Sequence, residues 1–132
     1  MKQFGLSKKE RIKRKKEFDF IFSNGEIIFS SNQTFKAVFY FERETEQAVL
    51  QAAFAVSKKA GIAVWRNRIK RLMRESFRLN KNILLPFVQE KKTSVQIIFL
   101  PNSVNFKKNK KIYLNEVLPQ IVEIMNKIKD KI

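Results

Sequence analysis

Apolar residues return every third or fourth position through the middle of the chain, at Trp65, Ile69, Leu72, Met73 and Phe77, with Ser76 on the same arc. At about 100° per residue this is the stripe of a helix that buries one face. The polar side of the same helix is basic. Asn67, Arg71, Arg74 and Arg78 oppose the stripe, and Arg68 and Lys70 flank it. Near the start, Phe18, Ile21 and Phe22 stand at i, i+3, i+4 on a shorter helix that Asn24-Gly25 closes. Ahead of it, Ser7-Lys8-Lys9-Glu10 has the form of a capping box.

Elsewhere the period is two. Strands are predicted from Glu26 to Ser30, Thr34 to Phe41, Ala48 to Val56 and Thr93 to Leu100, the last stopped by Pro101-Asn102. In the second strand Phe35, Ala37, Phe39 and Phe41 share a face, and Lys36, Val38 and Tyr40 share the other. In the third, Leu50, Ala52, Phe54 and Val56 oppose Val49, Gln51, Ala53 and Ala55. The small residues of that second set either admit a bulky partner or accommodate a packed helix. The chain closes on Leu114, Val117, Leu118, Ile121, Ile124, Met125 and Ile128 at helical spacing, with Pro119 bending this helix or marking a late start. The order is helix, three strands, helix, strand, helix. It predicts an α+β fold, a four-stranded sheet covered by three helices. No repeat or long linker divides residues 1–132, so one domain is expected, with a basic, partly mobile segment at about residues 1–8.

Charge turns this pattern toward a partner. The formal net charge is +16, and nine of the basic side chains lie between Lys58 and Lys81 against one acid, Glu75. Such charge costs self-repulsion, and a polyanion is the usual reason to keep it. Arginine forks suit phosphate and folded RNA. Of the polyanions, nucleic acid comes before an anionic membrane. No apolar run approaches the roughly 20 residues that span a bilayer. No apolar segment of signal-peptide type precedes the basic stretch, and Cys is absent, so the cytoplasm is the expected compartment.

The chemistry available to the side chains is narrow. There is no His and no Cys, which removes imidazole catalysis, thiolate catalysis and zinc fingers. The twelve acids are scattered, whereas two-metal nucleases need convergent carboxylates. Three glycines, Gly5, Gly25 and Gly61, cannot build a glycine-rich phosphate loop. No catalytic residue and no side-chain metal site is expected.

Aromatics complete the inventory. Phe18, Phe20 and Phe22 exceed what one short helix face buries, so at least one of the three lines a surface. Phe18 and Phe22 either seal a core or form a stacking surface for unpaired bases.

Taken as a block, these residues resemble the protein subunit of bacterial ribonuclease P. The match is densest at Ala55-Val56-Ser57-Lys58-Lys59, Gly61, Ala63-Val64 and Arg66-Asn67-Arg68-Ile69-Lys70-Arg71-Leu72, continuing to Arg74 and Phe77. Phe18-x-x-x-Phe22-x-x-Gly25 supports it. The resemblance implies a protein that binds a catalytic RNA and precursor tRNA. The RNA removes the 5′ leader with magnesium, and no protein partner or membrane is required. It implies RNA contacts from Lys58, Lys59, Arg66, Asn67, Arg68, Lys70, Arg71, Arg74 and Arg78. It implies a leader cleft at Phe18, Phe22, Lys36 and Tyr40, with Val38 on the same strand face. It also implies the arrangement of the second domain of ribosomal protein S5. That includes a left-handed strand–helix–strand crossover, against a rule obeyed in about 98% of cases.

Two departures stand out. Ile62 replaces the family's usual Asn, and Leu100-Pro101-Asn102 replaces Ala-Arg-Lys after the fourth strand. Lys107, Lys108, Lys110 and Lys111 either replace the lost basic contact or form a solvated run. The competing function class is a non-catalytic structural RNA-binding protein of ribosomal or ribosome-assembly type.

Overall fold

A computed structural model describes residues 10–132. The segment at about residues 1–8 and the opening of the capping box at Ser7 lie outside them. The elements run α1 (Lys15–Asn24), β1 (Glu26–Phe29), β2 (Phe35–Glu42), β3 (Leu50–Phe54), α2 (Ala63–Asn80), α3 (Leu85–Glu90), β4 (Ser94–Pro101) and α4 (Leu114–Lys131). The four strands form one mixed sheet in the order β1-β2-β4-β3. β1 and β4 both pair antiparallel to β2, while β3 and β4 pair parallel. A parallel pair needs a crossover, and α2 and α3 lie within it.

The α+β class holds, with one helix more than expected. α3 has only six residues and buries Val88, too little sequence to show a helical period. Pro119 lies inside α4, which begins five residues before it. Proline cannot donate to the Asn115 carbonyl, but both residues are exposed and water can serve that oxygen.

Each strand divides its side chains as the alternation requires. Phe35, Ala37, Phe39, Leu50, Ala52, Val95, Ile97 and Phe99 face α2 and α4 in the larger core. There they meet Trp65, Ile69, Met73 and Phe77 of α2 and Val117, Ile121, Ile124, Met125 and Ile128 of α4. The opposite face holds a smaller cluster of Val38, Ala53 and Ile98 under Ile21 of α1 and Ile12.

Two contacts fix how α1 is laid across that second face. Gly25 N–H bonds the Ile21 carbonyl at 2.7 Å and ends the helix. A Cβ at Gly25 would stand 2.6 Å from the Ile21 carbonyl oxygen and 2.7 Å from that of Phe39, so no larger residue fits. At the other end the chain before α1 pairs with the edge of β3, and Ala53 lies beneath Ile12 and Ile21. Ile12 N–H donates to the Ala52 carbonyl at 3.2 Å, and Arg11 bridges Ala52 in parallel.

Candidate RNA interface

α2 displays the basic face that its period predicts. Trp65, Ile69, Met73, Ser76 and Phe77 are buried. Leu72 is half-buried, while Asn67, Arg71 and Arg74 are exposed. Lys58 and Lys59 are exposed on a 3-10 turn just before the helix. Gly61 joins the two, and a Cβ there would lie 2.6 Å from Cβ of Phe106 and 2.9 Å from the Trp65 ring. The turn can therefore close onto Trp65 only with glycine at that position. Ile62, which replaces the family's Asn, caps α2 without a side-chain hydrogen bond and stays 57% exposed.

The cations of this helix are not equivalent. Arg68 donates Nε and Nη2 to the Ile112 carbonyl at 3.1 and 2.8 Å. It clamps the loop before α4, so removing it removes a fold contact together with a charge. Arg78 is held by Glu75 through a two-point ion pair, with Nε 3.0 Å from Oε2. That hydrogen bond holds the Glu75 carboxyl below its usual range and raises Arg78. Its charge is thus partly compensated. Lys81, at the end of the basic run, is buried and bonds Glu10 at 3.0 Å. Arg66 is half-buried, and its Nε has no hydrogen-bond partner. Lys70 is half-buried. The Glu75–Arg78 pair, three residues apart on one helix, is legible in the sequence; the ties of Arg68 and Lys81 are not, because Ile112 and Glu10 come from distant segments.

The aromatic candidates flank α1. Ile21 points into the sheet. Phe18 and Phe22, one turn apart, share one flank, and Phe20 takes the opposite flank. Phe18 is half-buried and Phe22 is 48% exposed. Phe20 meets Tyr40 edge-on with centroids 4.8 Å apart. Tyr40 therefore belongs to the flank away from Phe18 and Phe22. Burial and the neighbouring Glu42 raise the Tyr40 phenol above its ordinary value. Lys36, two pleats along the same strand face, stands beyond Val38 on the side away from Tyr40, the flank of α1 that carries Phe18 and Phe22. It lines a depression of about 310 Å³ with Ala55, Ser57, Lys59, Leu100 and Asn102. Of the four expected cleft residues, Phe18, Phe22 and Lys36 share one flank of α1, while Tyr40 stands with Phe20 on the other.

A second hollow, of about 180 Å³, connects the two candidate regions. Phe18, Ile12, Ala52, Ala53 and Phe54 line it together with Arg11 and Arg74. Arg74 reaches there from α2, its guanidinium 5.9 Å from the Phe54 ring centroid. Arg11 went unnoticed in the sequence, and only its bridge to Ala52 shows where it lies.

Comparison with known proteins agrees with this geometry. The family model described as Ribonuclease P matches residues 6–124. The chain belongs to the ribonuclease P protein family.

A ribonuclease P protein component of Porphyromonas gingivalis is 36% identical over 98 residues, covering 74% of this chain and 70% of that protein. The ribonuclease P protein of Staphylococcus aureus superposes with a TM-score of 0.67 at 25% identity, over 91% of this chain and 95% of that one. That of Thermotoga maritima gives 0.69 at 22% identity, over 89% and 96%, and shows a shared fold. As a ribonuclease P protein, the chain is part of an endoribonuclease that processes tRNA. Among the described residues no group of His, Cys, Asp or Glu is placed to hold a metal ion. Among them, too, no helix is long and apolar enough to cross a membrane.

Proposed function

We propose that this chain binds the catalytic RNA subunit through the exposed face of α2 and holds the unpaired 5′ leader of precursor tRNA beside Phe18 and Phe22. One observation carries the reading. Arg74 of the basic helix and Phe18 of the aromatic flank line the same hollow, so the two surfaces are continuous. A strand leaving folded RNA can pass from guanidinium contacts to ring stacking through this hollow, whose lining holds two arginines and no carboxylate. Stacking tolerates any base, and cations along the backbone neutralise phosphate. The RNA carries the hydrolysis with magnesium, and the chain acts as one domain in the cytoplasm without a protein partner.

The test is cleavage of precursor tRNA by the purified chain with and without its cognate RNA subunit. Correct 5′ processing should need the RNA and be favoured by the protein at moderate salt. Specific cleavage by rigorously RNA-free protein would refute the assignment of chemistry to the RNA.

A further inference from the structure

The segment between β4 and α4 contains the lysines whose role the sequence left open, and it is not a free tail. Phe106 N–H donates to the Ala60 carbonyl at 2.7 Å, and Trp65 Nε1 donates to the Asn109 carbonyl at 2.8 Å. Arg68 takes the Ile112 carbonyl, as described above. Within the loop, Asn109 N–H bonds the Asn105 carbonyl at 2.8 Å and Lys108 N–H bonds Asn105 Oδ1 at 2.9 Å. The loop is pinned at three points to the turn before α2 and to the first turns of α2, and its lysines are held at fixed places.

That pinning builds a site. Arg68, Lys110, Lys111 and Tyr113 line a depression of about 330 Å³ whose wall carries no carboxylate. Tyr113 is 53% exposed, and the Arg68 guanidinium lies 5.6 Å from its ring centroid. The Tyr113 N–H is taken by Glu116 at 3.1 Å, which fixes the residue at the start of α4. Lys110 lies over the Phe106 ring at 5.7 Å. The depression thus offers a half-exposed aromatic ring between cations, the chemistry that holds an unpaired nucleotide by ring stacking and phosphate contact.

We infer that this depression takes an unpaired nucleotide of the catalytic RNA subunit, as an anchor separate from the basic face of α2. The inference rests on the RNA-binding reading above. The charge of the wall selects a polyanion. Position selects the RNA subunit over the leader: Tyr113 caps the start of α4, which covers the α2 side of the sheet, whereas Phe18 and Phe22 flank α1 on the other side.

The experiment measures affinity of the full chain for the RNA subunit, without substrate, across a salt series. Lys110→Ala/Lys111→Ala should lower the magnitude of the salt slope by about 1.4, at about 0.7 per single-strand phosphate. Lys107→Ala/Lys108→Ala removes the same charge from the same loop outside the depression and should change the slope less. Tyr113→Ala should weaken binding at least about fivefold, and Tyr113→Phe should retain it. Equal effects of the two lysine pairs would overturn the site in favour of diffuse attraction, whatever Tyr113→Ala does to folding. Wild-type affinity in both Tyr113→Ala and Lys110→Ala/Lys111→Ala would overturn it too. Failure of the wild-type chain to bind the RNA at all would instead remove the reading on which this one rests. A second titration of the same variants with leader-bearing precursor tRNA closes the test: weakened binding there beside wild-type affinity for the RNA subunit would assign the depression to the leader and overturn the inference.

Discussion

The two faces of the sheet are made from alternate residues of the same strands, yet they are finished differently. On one, two helices of eighteen residues close over Phe35, Phe39, Ile97 and Phe99, which are at most 1% exposed. On the other, the ten-residue α1 crosses the strands and seals only a narrow strip around Ile21 and Ile98. One short helix cannot cover four strands, so aromatic rings remain in its flanks. The contrast separates two demands on hydrophobic residues: sealed rings stabilise the fold, and half-covered rings remain available to a ligand.

The largest expected effect breaks the sealed face. Phe99 lies on β4 between Phe54 and Phe77, with ring centroids 5.6 and 5.7 Å away. Phe99→Ala leaves a cavity that α2 and the sheet cannot both collapse into, and should cost about 3–5 kcal/mol of stability. Denaturant unfolding measures this. A loss below about 1 kcal/mol would mean that this face is less tightly sealed than its burial indicates.

Periodicity made most of this division legible. The alternation in β2 and β3 sorted core from second face, and the stripe on α2 separated its buried residues from its exposed arginines. What could not be read was long-range. Lys81 looks like another cation of the basic run until Glu10 meets it, and Arg68 looks like a free ligand until the Ile112 carbonyl arrives. Tyr40 shares a strand face with Lys36, but the path of α1 places Phe20 over it. The continuity of Phe18 with Arg74 likewise depends on how α1 and α2 approach β3 from opposite sides, which no local pattern encodes.

A smaller effect on stability and a larger one on binding are expected at the open face. Phe22 is already 48% exposed, so truncating it removes little buried area. Phe22→Ala should cost about 1 kcal/mol of folding stability or less. If the flank stacks the leader, the same change should weaken binding of leader-bearing precursor by about 1–3 kcal/mol and leave mature tRNA untouched. Paired titrations with precursor and mature tRNA give the answer. Equal weakening of both substrates would show that Phe22 acts on the fold or on general RNA affinity, and the contrast between the faces would lose its functional meaning.

The smallest expected effect tests whether the sealed face also depends on polar ties. Glu123 of α4 accepts the Ser31 N–H at 2.8 Å and the Ser31 hydroxyl, and pairs with Lys127 at 3.0 Å. Lys127 also donates to the Phe29 carbonyl at 2.9 Å, so the turn between β1 and β2 is tied to α4. The Ser31 hydroxyl, ahead of Lys127, holds the Glu123 carboxyl below its ordinary value. A carboxylate depressed in the folded state stabilises the fold above its unfolded value, ordinarily about 4.5, and loses that contribution as pH falls through the folded value. Glu123 keeps 30% of its side-chain surface, so solvent screening limits the contribution to below about 1 kcal/mol. Glu123→Gln should therefore lower the melting temperature slightly at pH 7, and the gap to wild type should close below about pH 4.5. Thermal melts at several pH values decide it. A gap that does not narrow at all as pH falls below about 4.5 would place the effect in packing rather than charge, and no gap at pH 7 would leave the sealed face dependent on its hydrophobic contacts alone.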